Sequence, residues 1–297
     1  MEIVHDTAAL QARADEARAD GKRIALVPTM GALHAGHLAL VEAGRALAER
    51  VCVSIFVNPT QFNAAADLAA YPRTWEADLA ACREAGVDWV FAPEPEGLYP
   101  EGFQTWVDVS ELSEPLCGAT RPGHFRGVAT VVSKLLLAAK PHVALFGEKD
   151  FQQLAVIRRM SRDLGFGVEI VGVPTVREAD GLALSSRNVH LAGEARSQAT
   201  ALVRALDAAE AAVLAGEVRP EALEEIAREE IGKAPLAEID YAELREPENL
   251  RRLRAPLDGL SLLALAVFFP RASGAGETVR LIDNRVLPKP LPQEERT

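Results

Sequence analysis

Two histidines three residues apart, His34 and His37, flank Gly36 within the stretch Ile24–Leu40, and they are the first groups in the chain that invite chemistry. That spacing places both imidazoles on one side of a helix's opening turn. Gly36, between them, has no side chain to block a ligand approaching the backbone. The first N–H groups of a helix lack internal partners and carry the positive end of its dipole. Met30-Gly31-Ala32-Leu33-His34-Ala35-Gly36-His37 therefore reads as an anion site, and phosphate is the anion it suits. A strand–turn–helix corner with two capping histidines would share this pattern, so the pair needs company. Lys149, in Gly147-Glu148-Lys149-Asp150 just past an apolar run, is a compact ammonium suited to a phosphate. Ser185, Ser186 and Arg187 add two hydroxyls and a guanidinium fork.

The elements that must position these groups follow from the apolar runs. Ile24–Val27 reads as a short buried strand that Pro28 ends, proline having no N–H for a ladder. Thr29-Met30-Gly31 makes a tight turn, and from about Leu33 a helical pattern continues through Leu40, Val41 and Leu47. Val51–Val57 is a continuous β-branched run with the look of a strand covered on both faces. Helix-separated strands of this kind imply βαβ units and a parallel sheet, with ligands collecting beyond the carboxyl ends. Pro28–His37 and Asn58–Phe62 then share one rim. A helix over Thr7–Asp20, a long irregular connection from Asn58 to about Thr74, and a helix marked by Trp75, Leu79 and Cys82 are also expected. Strands are expected at Trp89–Phe91, Thr105–Val109, His142–Phe146 and Val168–Val173, with a helix over Val128–Ala139 after a basic, glycine-rich loop at Arg121–Gly127. Helices at about 194–215 and 219–232, then strands at Ile239–Leu244, Leu262–Phe269 and Thr278–Asp283, suggest a separate unit. The expected fold is α/β: a Rossmann-like parallel sheet with helices on both faces over residues 1–175, and a smaller α+β unit over 176–297. The proline-rich, charged tail from Pro288 is expected to fray.

Composition narrows the partners. With 32 Lys and Arg against 43 Asp and Glu, the net charge is −11, which argues against a nucleic-acid surface. An acidic chain that binds phosphate must do so with a few placed groups. Cys52, Cys82 and Cys117 lack metal-type spacing and read as small buried hydrophobes in a reducing cytoplasm. Glu2 and Asp6 leave no room for a signal peptide's apolar region, and Leu260–Phe269, the longest apolar run, is too short to span a bilayer. No membrane partner is expected.

Four stretches taken together, Pro28–His37, Asn58–Phe62, Gly147–Gln153 and Leu184–Asn188, resemble the pantothenate synthetase (pantoate–β-alanine ligase) family, and Tyr71–Thr74 and Arg121–Gly127 fit the same pattern. H-x-G-H alone would mark only the wider nucleotidyltransferase class. The resemblance implies ATP-dependent condensation of pantoate with β-alanine through a pantoyl-adenylate, with Mg²⁺ accompanying ATP, a hinged C-terminal lid domain and a homodimer. It makes His37, His34 and Lys149 catalytic, with His37 the proton donor. It assigns ATP to Met30–His37, Gly147, Glu148, Lys149, Asp150, Val176 (through its backbone), Leu184, Ser185, Ser186 and Arg187. It assigns pantoate to Gln61 and Gln153, with Gln61 also meeting β-alanine, and completes the pocket with Asn58, Tyr71, Arg121 and His124. The two glutamines make physical sense: neutral amide donors orient a carboxylate nucleophile without quenching its charge as Arg would. Gln152 fits an ordinary polar surface residue better. The natural lids over a water-sensitive mixed anhydride are the 62–74 loop and the Ser185–Arg187 segment. Leu184 stands where the family usually has methionine, a volume-conserving change, and Asn63–Asp67 is blander than usual. Alternatives are a nucleotidyltransferase with another acceptor, which would want a second phosphate pocket, and a non-catalytic nucleotide sensor, which would not need all of His34, His37, Lys149, Ser186 and Arg187.

Overall fold

Strands covered on both faces need no polar alternation, and the run through Val51–Val53 has none; these residues are almost wholly buried. In the computed structural model, which describes residues 1–63, 68–191, 193–272 and 277–289, such runs form the middle of a six-stranded sheet. Its strands are β1 (Glu2–Val4), β2 (Ile24–Thr29), β3 (Arg50–Ile55), β4 (Trp89–Phe91), β5 (Val143–Gly147) and β6 (Glu169–Val173), all parallel, in the order β1-β4-β3-β2-β5-β6. Order runs outward from β2 through β3 and β4 on one side and through β5 and β6 on the other. The crevice beyond the carboxyl ends of β2 and β5 is thus the switch point, where open parallel sheets collect ligands.

Helices α1 (Thr7–Ala19), α2 (Ala35–Leu47), α3 (Trp75–Glu84), α4 (His124–Ala139) and α5 (Phe151–Asp163) flank the sheet. Ala25, Val27, Val51, Val53 and Leu145 form one buried cluster with Leu40 and Val41 of α2 and Leu79 and Cys82 of α3. Burying a side chain of that size contributes roughly 1.5–3 kcal/mol. Gly44 lets α2 lie close on the sheet: a Cβ there would come 3.3 Å from Ala25 and 3.4 Å from Leu145.

Three expectations for the first sheet and its helices change. β2 does not stop at Pro28 but runs through it to Thr29, with Pro28 opposite Ser54. Thr29 bonds to β3, its carbonyl accepting from Phe56 N–H, so Pro28 turns its missing N–H towards β5, whose pairing with β2 already ends at Leu26–Ala144. Thr105–Val109 joins no sheet; Val107 N–H donates to Thr130 Oγ1 of α4 instead. And α4 starts at His124, not Val128, because Gly123 takes φ +79 as its N-cap. Gly127 therefore lies inside α4, where a Cβ would sit 2.5 Å from the Thr60 carbonyl oxygen. Only glycine lets the helix meet that turn.

The chain divides into compact units Met1–Val176 and Arg177–Thr297. The second holds an antiparallel sheet, β7 (Glu238–Arg245), β8 (Ser261–Pro270) and β9 (Thr278–Leu287), ordered β7-β8-β9. Helices α6 (Ala201–Leu214) and α7 (Pro220–Gly232) share its apolar core through Leu202, Leu206, Leu223 and Ile231. The helix expected from about 194 breaks at Ala199–Thr200, where Thr200 Oγ1 donates to the Ser197 carbonyl. Residues 290–297 of the expected frayed tail lie outside the described residues. Among the described residues no helix is long and apolar enough to cross a membrane.

Candidate active site

The turn after β2 delivers the histidine pair. His34 is the N-cap of α2: its Nδ1 accepts from Gly36 N–H at 3.1 Å, while its own N–H donates to His37 Nδ1 at 3.3 Å. The rings lie 4.1 Å apart, tilted by 39°. Because both Nδ1 atoms accept, the neutral rings carry their protons on Nε2. Burial first, then the unfavourable approach of a second imidazolium at His34, pushes His37 down to about 3, with Asp150 opposing and Lys149 adding to the shift. Burial and the nearby Lys149 lower His34 as well. Both rings are neutral hydrogen-bond donors.

Two local expectations are corrected. The space beside Gly36 does not admit a ligand; it holds the His34 ring, since a Cβ there would lie 2.9 Å from its Cε1. The backbone of the turn is not an open anion cradle either. Ala32 N–H and Leu33 N–H donate to Asp78 at 3.0 and 2.8 Å, and the N–H groups of His34 and Gly36 go to the imidazoles. The side-chain donors that this turn still offers are the two Nε2–H groups.

Beyond β3, Pro59–Gln61 forms a 3-10 turn capped by Asn58. The Asn58 amide, 1% exposed, is fixed by partners of known sense. Its Nδ2 donates to the Gly127 carbonyl at 3.2 Å, and its Oδ1 accepts from Thr60 Oγ1 and the Tyr99 hydroxyl, each at 2.9 Å. Nδ2 also donates to Gln61 Oε1 at 2.9 Å, so Gln61 must turn its NH₂ the other way, 3.2 Å from Met30 Sδ. Arg121 and His124 meet the Gln61 carbonyl at 3.2 and 2.8 Å and each other at 3.2 Å. A carbonyl only accepts, so His124 donates from Nδ1 and receives Arg121 on Nε2. Tyr71 packs edge-on against Phe62. Residues 64–67, most of the bland stretch and part of the expected lid loop, lie outside the described residues.

Beyond β5, Gly147 leads into the turn Glu148–Asp150 and then α5. Lys149 Nζ lies 4.0 Å from Asp150 and is largely buried. Gln152 is not a surface residue: at 6% exposure it accepts from Cys117 N–H and donates to the carbonyls of Leu112 and Pro115, pinning that segment. Gln153 is half-buried one position on. Val176 ends the first unit, past β6. The structure thus brings Met30, His34, His37, Asn58, Gln61, Arg121, His124, Lys149 and Gln153 to one rim of the first sheet. Leu184–Arg187 belong to the second unit, between an Arg177–Ala183 bridge and the Asn188–His190 turn. There Ser185 Oγ accepts from Arg187 N–H at 3.2 Å. Two supporting residues escaped the sequence reading, Tyr99 and Asp78. Asp78 had a signal, an acid on the same helical stripe as Leu79 and Cys82.

The sequence model described as Pantoate-beta-alanine ligase matches residues 2–286. The chain belongs to the pantoate–β-alanine ligase family. It is 53% identical over 287 residues to the pantothenate synthetase of Desulfatibacillum aliphaticivorans, covering 97% of this chain and 99% of that one. It is 54% identical over 271 residues to that of Myxococcus xanthus, covering 91% and 90%. The crystal structure of pantothenate synthetase from Thermus thermophilus superposes with a TM-score of 0.87 at 47% identity, over 96% of this chain and 99% of that one. The Francisella tularensis pantoate–β-alanine ligase, solved with β,γ-ATP and β-alanine, gives 0.77 at 31% identity, over 96% and 97%. Members of this ligase family use ATP, pantoate and β-alanine, so the chain is an ATP-using ligase of small molecules.

Proposed function

We propose that the rim of the first sheet condenses pantoate with β-alanine through a pantoyl-adenylate, with the residue roles that follow. One observation carries the reading: two imidazoles whose Nδ1 atoms are taken by backbone N–H groups share the rim with Gln61, whose amide is held by Asn58 at Oε1. Gln61 and Gln153 hold the pantoate carboxylate by N–H donation that leaves its charge available. A carboxylate oxygen attacks the α-phosphorus, the bond to the bridging oxygen breaks in line, and pyrophosphate leaves with the electron pair. His34 and His37 donate Nε2–H bonds to phosphate oxygens where charge grows. The proton-donor role expected of His37 is read here as Nε2–H donation, the ring being neutral before the nucleotide binds. Lys149 supplies the positive charge. The β-alanine amine, with Gln61 beside it, then attacks the acyl carbon, and AMP leaves. Asn58, Arg121 and His124 act by orienting Gln61, and Tyr71 closes the pocket.

In this reading Gly147, Glu148 and the Val176 backbone line the nucleotide. Mg²⁺ arriving with ATP keeps mostly phosphate and water oxygens, so it needs only one or two carboxylates. Asp150, half-exposed beside Lys149, fits that need and would hold it; the ion would offset phosphate charge. The chain acts as a homodimer in this reading, and a cytoplasmic setting is supported by the three free, buried cysteines. The test is pyrophosphate release from ATP with pantoate, with and without β-alanine. Sustained release only with both partners is expected; release indifferent to either one overturns the reading.

A further inference from the structure

We infer that Asp78 is a positioning residue for the ATP-handling histidines: its buried carboxylate holds the turn that delivers His34 and His37 to the rim. This rests on the phosphate role proposed for those rings. Asp78 is 3% exposed, yet it sits on the apolar stripe of α3 with Leu79 and Cys82. Its Oδ2 accepts from Ala32 N–H at 3.0 Å and its Oδ1 from Leu33 N–H at 2.8 Å. Oδ1 also accepts from Thr74 Oγ1 at 3.1 Å, which fixes the rotamer and ties the turn to the end of the 62–74 connection.

The turn needs such a hold. Gly31 takes φ +83 and Ala32 φ +51, and a side chain held left-handed persists only where its surroundings over-determine it. Packing does not do so on this side: a cavity of about 540 Å³ opens behind the turn, with Met30, Gly31, Thr74, Trp75 and Asp78 in its wall. Consecutive N–H groups in such a turn make an anion-shaped concavity. Here the protein fills it with its own carboxylate, so a bound phosphate is confined to the imidazole face one residue further on. A carboxylate is the side chain that accepts on both oxygens at once.

The decisive variant is Asp78→Asn, equal in shape but with one oxygen replaced by a donor that must face an N–H. The KM for ATP should rise, and the single-turnover rate of pyrophosphate release from ATP and pantoate should fall, each by about 10-fold or more, as expected for misplaced catalytic groups. The KM for β-alanine should be unchanged, and the Ala32 and Leu33 amides should exchange with solvent faster. A purely structural role would lower the melting temperature and leave the folded enzyme's ATP kinetics intact, and that result overturns the inference. Should Asp78→Asn not fold, Gly31→Ala reads the same contact, since its Cβ would lie 3.0 Å from Asp78 Oδ2. Wild-type ATP kinetics in that variant likewise overturn it. Wild-type protein runs alongside: if it releases no pyrophosphate from ATP and pantoate, the proposed function fails instead.

Discussion

Gly36→Ala separates what the histidine pair does for stability from what it does for catalysis. Position 36 is helical, and alanine there is favoured over glycine by about 1 kcal/mol. Against this, the new Cβ would lie 2.9 Å from His34 Cε1 and 3.0 Å from its Nδ1, closer than such atoms approach. The ring has to swing away, and the 3.1 Å bond from Gly36 N–H goes with it. Losing a helix N-cap costs about 1 kcal/mol. The two effects oppose, so the net change stays within about 1 kcal/mol and the melting temperature moves by roughly 2–4 °C at most. Catalysis has no such compensation. The swing carries Nε2 with it, and displacing a catalytic group by about 1 Å costs on the order of 100-fold. Calorimetry paired with pyrophosphate release at saturating ATP, pantoate and β-alanine reads both. Turnover within about threefold of wild type, roughly 0.7 kcal/mol on the barrier, at an unchanged melting temperature would refute the reasoning.

Three further outcomes follow from the same geometry. NMR of the ligand-free protein should show His37 neutral at about pH 5.5, and an imidazolium signal from it would sink the assignment. The unfolded His37 ring titrates near about 6.5 and the folded one near about 3, so its contribution to stability is whole above the first value and lost as pH falls towards the second; a His37→Phe variant with the same acid sensitivity as wild type counts against it. Asn58→Asp replaces the donor to Gln61 Oε1 and the Gly127 carbonyl by an acceptor. Gln61 should flip and present its oxygen, raising the KM for pantoate about 10-fold or more while that for ATP holds, and equal effects on both would disprove the orienting role.

How much of this was legible beforehand depends on whether the deciding partner was local. The strand expected at Val51–Val57, found at Arg50–Ile55, the helix over Thr7–Asp20 with Leu10, Ala14 and Ala17 inward, and the rim shared by the two turns followed from period and run length. The passage of β2 through Pro28 did not, because it depends on where β5 stops pairing. Nor did the burial of Gln152, whose partners lie on a segment from Leu112 to Cys117 that carries no regular period. The identities of His34, His37, Gln61 and Lys149 stood out as chemistry-bearing types. Their orientations did not, since Asn58, Gly127, Tyr99 and Asp78 set them from distant positions.

That division explains why histidine occupies the mouth of α2 at all. An N-cap must accept an N–H, which Ser, Thr, Asp or Asn does well. Asp would bring a negative charge to a triphosphate, and a hydroxyl is too short to pass the helix's polarity on to a ligand. Arginine reaches but cannot accept. Neutral imidazole alone has an acceptor and a donor on opposite sides of a rigid ring. Nδ1 takes the backbone N–H of Gly36 or of His34, which leaves Nε2–H for the phosphate contact proposed above. The positive end of the helix is thereby handed outward through two rings instead of ending at the backbone. The reciprocal bond from His34 N–H to His37 requires the second histidine three residues after the first, and the tight fold of the His34 ring over position 36 requires glycine there. The H-x-G-H spacing is, on this account, the smallest sequence that caps a helix twice and still leaves both caps a donor for phosphate.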